Sequence, residues 1–410
     1  MSLRFAARIR LISGILNVLT LIAAFTCFGC FASHLGFNHT PAEYYAIFRI
    51  MRYVQGVFIA SILFKLLFEF RRVRRETRIV KWVIDLSVLT SLLPWLYPHP
   101  EHPWLPWLER ILYSNIYLYT VLGVYAGIEI SLWITKCMNR RTNPALLLSG
   151  SFIIFIIIGT GLLMLPRCTY SPISLVDSLF VATSAVCITG LTPVDISVTF
   201  TPLGELILGL LIQIGGLGVL TFTSFFALFY TGGTSIYSQM MVKDLIYTRS
   251  FNELFPTMLY ILVVTLFIES IGAVIIYLSI QDVFPMTTQD EIWFAVFHSV
   301  SAFCNAGFST VHGGMSNPML LYGNQWVYLA MSLIVTAGSI GFPILVNYRD
   351  YIIHKIRAIF RLGHDKVIHI WSMNTKIVLI TSAGLVTSGI ILFYLWEWCN
   401  TLSGISPGMQ

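Results

Sequence analysis

The chain has 410 residues, of which 56% are hydrophobic and only 11% are charged. Roughly a quarter of the residues in a soluble domain are charged, so this composition excludes an ordinary water-soluble protein and indicates an integral membrane protein. The net charge of +6 does not point to nucleic acid, because the basic residues lie in short segments between apolar runs.

Apolar runs of bilayer length follow one another along the chain. The first comes after Arg4, Arg8 and Arg10, and because it is too long for a signal-peptide core we expect a retained span. In chain order the predicted spans are residues 11–31, 51–70, 80–97, 111–133, 145–165, 203–230, 258–280, 326–348 and 377–396. These nine spans predict an all-α integral membrane protein.

The positions of lysine and arginine predict the orientation of these spans. Nearly all of them lie at the N-terminus and in residues 71–81, 136–141, 243–249 and 349–376, which fall on one side of a nine-span chain. The positive-inside rule places that side, and the N-terminus with it, in the cytoplasm. The opposite side is net acidic, which would attract cations, although topology alone also removes basic residues from external loops.

One nonapeptide occurs twice. It reads Ser184-Ala-Val-Cys-Ile-Thr-Gly-Leu-Thr192 first and Ser301-Ala-Phe-Cys-Asn-Ala-Gly-Phe-Ser309 later, with Ser, Ala, Cys and Gly at the same places. A second echo follows each copy, Ile214-Gly-Gly-Leu-Gly-Val219 and Ala337-Gly-Ser-Ile-Gly-Phe342. Both echoes indicate one duplicated unit: an apolar helix, a short half-buried element that ends at glycine, and another apolar helix.

This duplication predicts four parts in the chain. They are an N-terminal four-helix membrane module (1–143), a first pore repeat (144–230), a cytosolic loop with a second pore repeat (231–348), and a basic cytosolic segment with one further helix (349–410).

The segments before the two nonapeptides, residues 172–187 and 290–304, are apolar but too short to cross a bilayer. Non-helical backbone at membrane depth is tolerated only inside protein or beside a water-filled cavity, so we expect two re-entrant pore helices. Each would point its partially negative C-terminal end at the membrane centre, where a cation is stabilised. Gly190 and Gly307 lack a Cβ and can turn successive carbonyl oxygens toward one axis, where they replace the hydration shell of an ion. Hydroxyls expected at the mouth belong to Thr189, Thr192 and Ser309.

The two loops and the Ile-Gly-Gly-Leu-Gly helix resemble those of the Trk/Ktr superfamily of bacterial potassium-uptake proteins, over residues 145 to about 396. The resemblance implies K+-channel-like architecture in the bacterial inner membrane, with four helix, pore-loop, helix repeats around one pore. It also implies K+ as the transported ion, no organic cofactor, and a cytosolic nucleotide-binding regulatory subunit as partner. The implied filter strands are Cys187, Ile188, Thr189, Gly190 and Leu191, and Cys304, Asn305, Ala306, Gly307 and Phe308. The implied K+ ligands are the backbone carbonyls of Ile188, Thr189, Gly190, Asn305, Ala306 and Gly307.

Only two of the four loops of such a filter occur in this sequence, and a half-ring of carbonyls leaves an ion uncoordinated on one side. We therefore expect a shortened form of a longer transporter, with a homodimer that supplies four loops as the alternative. The competing function is a non-conducting membrane scaffold or sensor that retains half of a pore architecture. An enzyme is not expected, because the sequence contains no Walker loop, nucleophile elbow or His-Glu-x-x-His motif.

Three acidic residues, Asp85, Glu129 and Glu269, lie inside predicted spans, where a charge is usually paired or faces water. Glu269 ranks first for function because it belongs to the second pore repeat, and a purely structural partner is the alternative. Residues 349–366 predict an amphipathic helix that contacts either the membrane surface or a cytosolic regulator. Cys187 and Cys304 are expected to be small fillers behind the filter. The glycines expected to be hinges or close-packing points are Gly215, Gly216, Gly218, Gly338 and Gly341.

Overall fold

The structure is a computed structural model that describes residues 3–68, 70, 79–96, 110–138, 144–218, 254–281, 286–318, 320, 325–341, 344 and 373–398. Regular structure in these ranges is helical, and the one strand-like pairing among them is an isolated bridge between Thr169 and Phe200. The chain divides into two compact units, residues 1–335 and residues 336–410.

The N-terminal part of the first unit is a group of membrane-type helices with its own apolar core. The helices are α1 (Leu3–Gly36), α2 (Pro41–Phe68), α3 (Ile79–Thr90), the single turn α4 (Leu93–Leu96) and α5 (Asn115–Met138). Helix α1 packs against α2 and α5, and α3 packs against the same two helices. One face of α2 enters the core because Met51, Val54, Phe58 and Ile62 recur every three or four residues and are buried.

Helix α2 begins ten residues before the predicted span at residue 51. Its start is a capping box in which the Thr40 N–H donates to Glu43 Oε2 at 2.8 Å and the Glu43 N–H donates to Thr40 Oγ1 at 3.4 Å. Pro41 follows at the first helical position, where its missing N–H costs no hydrogen bond. The capping signal, and not the apolar run, therefore sets this boundary.

Residues 144–339 repeat one pattern of helices twice. The first copy is α6 (Pro144–Leu163), α7 (Leu175–Val186), the single turn α8 (Ile196–Thr199) and α9 (Pro202–Leu217). The second copy is α10 (Leu254–Ile280), α11 (Thr288–Phe303), a 3-10 turn at Gly314–Ser316 and α12 (Trp326–Ser339). Helix α9 packs against α6, α7 and α11, so it joins the two copies.

The short helices α7 and α11 begin with the same chemistry. Ser174 Oγ accepts from the Asp177 N–H at 3.1 Å, and Thr287 Oγ1 accepts from the Asp290 N–H at 3.3 Å. A serine or threonine N-cap with an acidic residue three positions later satisfies free N–H groups and complements the helix dipole. Helix α7 has 12 residues and α11 has 16, so the second is about one turn longer.

The two parts of the first unit meet at one end of α1. The Gly36 carbonyl accepts a hydrogen bond from the Arg167 N–H at 2.9 Å. A Cβ on Gly36 would lie only 2.5 Å from Leu165 Cδ1, so glycine allows this close contact.

Helix α13 (Met373–Glu397) is the long helix described in the second unit, and most of its side chains are exposed. In the described residues, four helical stretches are long and apolar enough to cross a membrane: Leu11–Gly36, Pro41–Phe68, Leu259–Ile280 and Thr375–Glu397. With the apolar composition, these stretches identify a multi-pass, all-α membrane protein. The remaining predicted crossings stay predictions, and residues 219–253 and 345–372, with their predicted cytosolic loop and amphipathic helix, lie outside the described residues.

Candidate functional site

The two nonapeptides adopt the same backbone conformation after α7 and α11. Each short helix ends at a cysteine with right-handed helical angles, φ −87° and ψ 0° at Cys187 and φ −73° and ψ −4° at Cys304. The next residue is left-handed in both loops, with φ 57° at Ile188 and φ 56° at Asn305. Two residues later the glycine of each loop has φ 76°. The duplicated sequence therefore folds into a duplicated turn.

Backbone hydrogen bonds explain the first of these left-handed residues. The Thr189 N–H donates to the Ser184 carbonyl at 2.8 Å. In the second loop the Ala306 N–H donates to the Ser301 carbonyl at 2.8 Å. A bond that reaches back five residues at a helix end is the closure of a Schellman motif, which places a left-handed residue just after the helix. The backbone therefore reverses direction immediately after each of the two short helices.

The left-handed position is filled by residues with different intrinsic preferences. Asparagine tolerates left-handed angles, whereas a β-branched residue such as Ile188 pays roughly 1–2 kcal/mol to adopt them. Ile188 is half-buried and packs against the apolar core of the two repeats. The first loop therefore carries backbone strain that the second loop avoids with Asn305.

The glycines bring the two loops into contact. A Cβ on Gly190 would overlap the Ala306 carbonyl oxygen, and the nearest atom to a Cβ on Gly307 would be Gly190 Cα at 3.6 Å. Two features therefore favour glycine at position 190: its positive φ and the close approach of the Ala306 backbone. The structure thus places the two predicted glycine loops side by side.

Two glycines of α9 pack against the ends of the short helices, as the sequence predicted for close-packing points. A Cβ on Gly215 would overlap the Val186 carbonyl oxygen, and one on Gly216 would overlap Cys304 Sγ. Cys304 is 7% exposed and fills space behind the second loop, as expected. Cys187 is exposed, so the expectation that it is also a buried filler is wrong. Gly218 and Gly341 both have a positive φ, 77° and 87°, so the second echo also marks matching turns.

Glu269 is a residue of α10 and lies close to the C-terminal end of α11. It is 6% exposed and its carboxylate lies beside the Gln213 amide. Its backbone carbonyl accepts from Ser299 Oγ at 2.7 Å. One carboxylate oxygen of Glu269 is buried without a hydrogen-bond partner among the described residues. Glu269 therefore belongs to the packing around the second loop.

Asp85 and Glu129 lie instead in the N-terminal module. Glu129 Oε1 is 3.9 Å from both Lys65 Nζ and Lys81 Nζ, and all three side chains are mostly buried. Asp85 lies one turn after Lys81 on α3 and is 8% exposed. Ion pairing with Lys65 and Lys81 explains why the charge of Glu129 is tolerated there.

An ion pair joins the segments that follow the two glycines. Asp195 and His312 each stand five residues after their loop's glycine, and Asp195 Oδ2 is 2.8 Å from His312 Nδ1. Partial burial alone would raise the pKa of Asp195, but bonds from the Ser197 hydroxyl and N–H and from the Gly313 N–H, with the His312 charge, hold that pKa below its ordinary value of 3.8. The matching spacing after the two glycines is the signal in the sequence that points to this pair.

A second polar link between the repeats was also missed. Trp293 Nε1 donates to Glu205 Oε2 at 2.6 Å, which connects α11 to the start of α9. The residues are 88 positions apart, so no local pattern pairs them.

The predicted mouth hydroxyls already have protein partners at two positions. Thr189 Oγ1 donates to the Ser184 carbonyl at 3.3 Å, and Ser309 Oγ is 3.0 Å from His298 Nε2. Across the described ranges, no group of three or more His, Cys, Asp or Glu side chains could hold a metal ion. Among the described residues, the loops therefore offer a cation backbone carbonyl oxygens and not a cluster of ionisable side chains.

Comparison with known proteins gives the same family over two thirds of the chain. The family model described as TrkH, cation transport protein, matches residues 130–401. The chain is 32% identical over 266 residues to the potassium/sodium uptake protein NtpJ of Enterococcus hirae, covering 64% of this chain and 54% of that protein. It is 30% identical to the Ktr system potassium uptake protein B of Bacillus subtilis, covering 63% and 54% respectively. It is 28% identical to the Ktr system potassium uptake protein D of Bacillus subtilis, covering 65% and 57%. The chain spans about half the length of these curated relatives.

Proposed function

Because the chain belongs to the TrkH family of cation transport proteins, we propose that its two glycine loops are filter strands through which a complete transporter takes up K+. Members of this family are transporters and not enzymes. The chain supplies two of the four strands, and the other two come from further repeats or from a second copy.

The observation that carries this proposal is the matched geometry of the two loops. Gly190 and Gly307 share a φ of 76° and lie against each other. Two neighbouring segments with the same left-handed turns can present carbonyl oxygens to a shared axis, which is the arrangement that replaces the hydration shell of a cation. The proposed ligands are the carbonyls of Ile188, Thr189, Gly190, Asn305, Ala306 and Gly307.

The lengths of α7 and α11 support a re-entrant arrangement. Their 12 and 16 residues correspond to about 18 and 24 Å of helix. Both are shorter than a hydrocarbon core of about 30 Å. Each helix then enters from the external side, and its chain returns as the glycine loop.

The relatives favour K+ as the ion. One is named a potassium/sodium uptake protein and two are named potassium uptake proteins. Glycine stands at the same place in both loops, which in the resembling family accompanies a preference for K+ over Na+. We propose that the protein lies in the bacterial inner membrane with nine spans and a cytoplasmic N-terminus, and that residues 231–250 and 349–366 contact a cytosolic nucleotide-binding regulator.

A growth assay tests this proposal. The chain alone, and the chain extended by the C-terminal part of the Bacillus subtilis Ktr protein B, would be expressed in a bacterium that lacks K+ uptake. We expect the extended form to restore growth at low K+. Gly190→Ala should remove that growth. Gly161→Ala should retain it, because a Cβ there meets no atom within 4 Å.

The other outcomes separate the alternatives. Growth with the chain alone would support a homodimer that supplies four loops. If both forms reach the membrane and neither restores growth, the filter proposal is wrong and a non-conducting scaffold or sensor becomes the better account.

A further inference from the structure

A histidine that the proposed function does not use lies behind the second loop. His298 of α11 is completely buried and stacks on Phe294, with ring centroids 3.9 Å apart. Phe297 meets the same ring edge-on at 5.8 Å. An imidazole enclosed by aromatic rings needs hydrogen-bond partners for both nitrogens.

Both nitrogens have such partners. His298 Nδ1 is 2.8 Å from the Phe294 carbonyl oxygen, and Nε2 is 3.0 Å from Ser309 Oγ. A carbonyl can only accept, so Nδ1 donates. In the neutral ring Nε2 then accepts, and the Ser309 hydroxyl donates to it. Ser309 Oγ in turn accepts from the Val311 N–H at 3.2 Å, which completes a chain of hydrogen bonds that all run in one direction.

This chain of bonds ties α11 to the segment just after the second glycine. Ser309 stands two residues after Gly307. A further bond, from Ser301 Oγ to the Phe308 carbonyl at 2.8 Å, holds the residue between them. The second loop is therefore fixed to its own helix at Phe308 and at Ser309.

The first loop does not repeat these contacts. Val181 stands where His298 stands in the second repeat, and its apolar side chain cannot accept a hydrogen bond. Ser184, which corresponds to Ser301, has a buried hydroxyl oxygen without a partner among the residues that the structure describes. The two loops share a backbone conformation but differ in what fixes it.

We infer that His298 is a positioning residue that acts through Ser309 to fix the external end of the second filter strand and thereby contributes to K+ preference. This inference rests on the proposed function. It assigns the two strands different roles: the second is held rigidly by side chains, and the first depends on its backbone cap and on contact with the second.

Two substitutions of His298 each keep one of the two hydrogen bonds of the imidazole. In His298→Gln the amide oxygen can reach the Nε2 position and accept from Ser309. In His298→Asn the amide nitrogen can reach the Nδ1 position and donate to the Phe294 carbonyl, but the side chain is too short for Ser309. If His298 only filled space, the two substitutions would have effects of similar size on ion preference.

The measurement is the preference for K+ over Na+ in uptake by the extended protein. We expect His298→Asn and Ser309→Ala each to lower that preference about three- to tenfold, as for the loss of one hydrogen bond. His298→Gln should stay within about twofold of the unmodified protein. The double variant His298→Asn with Ser309→Ala should be no worse than Ser309→Ala alone, because Ser309→Ala already removes the bond to His298.

Equal effects of Gln and Asn, or a double variant equal to the product of the single effects, would overturn the inference while transport itself persists. Absence of K+ uptake by the unmodified extended protein would overturn the proposed function, and this inference with it.

Discussion

Gly190 and Gly307 allow one steric effect to be measured against a matched control. Both have a φ of 76°, so alanine at either position pays the same left-handed penalty of about 1–2 kcal/mol. The loss of unfolded-chain entropy that accompanies Gly→Ala is also shared. These contributions cancel when the two variants are compared.

What remains is the surroundings of the new methyl group. At position 190 it overlaps the Ala306 carbonyl oxygen, which is backbone and cannot rotate away. At position 307 the nearest atom is Gly190 Cα at 3.6 Å, an ordinary contact. Overpacking costs roughly 1–3 kcal/mol, so Gly190→Ala should be less stable than Gly307→Ala by about that amount.

Thermal unfolding of the purified chain in detergent measures this difference. For a chain of 410 residues the expected gap in melting temperature is about 1–4 °C, with Gly190→Ala lower. Gly161→Ala in α6 is the control, because its methyl group meets open space and alanine favours a helix. Equal melting temperatures at positions 190 and 307, or a lower one for Gly307→Ala, would refute the close approach of the two loops.

Three further predictions concern polar contacts. The lowered pKa of Asp195 means that its carboxylate adds stability above about pH 3.8, and that this contribution is lost as the pH falls through the lowered pKa. Asp195→Asn should therefore lower the free energy of unfolding near pH 7, by no more than about 1 kcal/mol in a pair with His312 that water reaches. This difference should shrink as the pH falls below about 3.8; a difference that does not change with pH would contradict the pairing. Trp293→Phe should cost about 1–3 kcal/mol in thermal unfolding, because it leaves the half-buried Glu205 without its indole donor, and an unchanged melting temperature would rule out that link. Glu129→Gln should destabilise the chain by about 3 kcal/mol, because two mostly buried lysines lose their shared carboxylate, whereas a neutral result would show that the lysines reach water.

The two glycine loops could be predicted from sequence because their conformation is local. In each copy of the Ser-Ala-x-Cys-x-x-Gly stretch, the hydrogen bond that caps the short helix joins residues only five positions apart. Gly190 and Gly307 therefore adopt the same positive φ. Asn305 also gave a direct hint of a left-handed residue. Ile188 gave none, because a β-branched side chain argues against that conformation and the cap overrides the preference.

Helix boundaries were less predictable where apolar length and capping disagree. Arg49 and Arg52 interrupt the apolar pattern, so the predicted span begins after the first turns of α2. The capping box at Thr40 marks the true start of the helix. Helix α9 ends at Leu217 because Gly218 has a φ of 77°, while the apolar pattern continues beyond it.

Contacts between the repeats could not be derived from local patterns. Asp195 and Gly313 are joined across 118 residues, and Trp293 reaches Glu205 across 88. His298 looked like an isolated histidine in an apolar helix, and only the fold shows that the turn after Gly307 brings Ser309 back to its ring.

If the two glycine loops are filter strands, they bind a permeating cation through their backbone carbonyls. A cryo-EM structure of the extended protein in Rb+, compared with the same protein in Na+, tests it directly. We expect density specific to Rb+ beside the carbonyl oxygens of Thr189, Gly190, Ala306 and Gly307, with α7 and α11 entering the membrane partway. Loops that lie flat on the outer surface, or Rb+ density only at other sites, would show that the loops are not a filter.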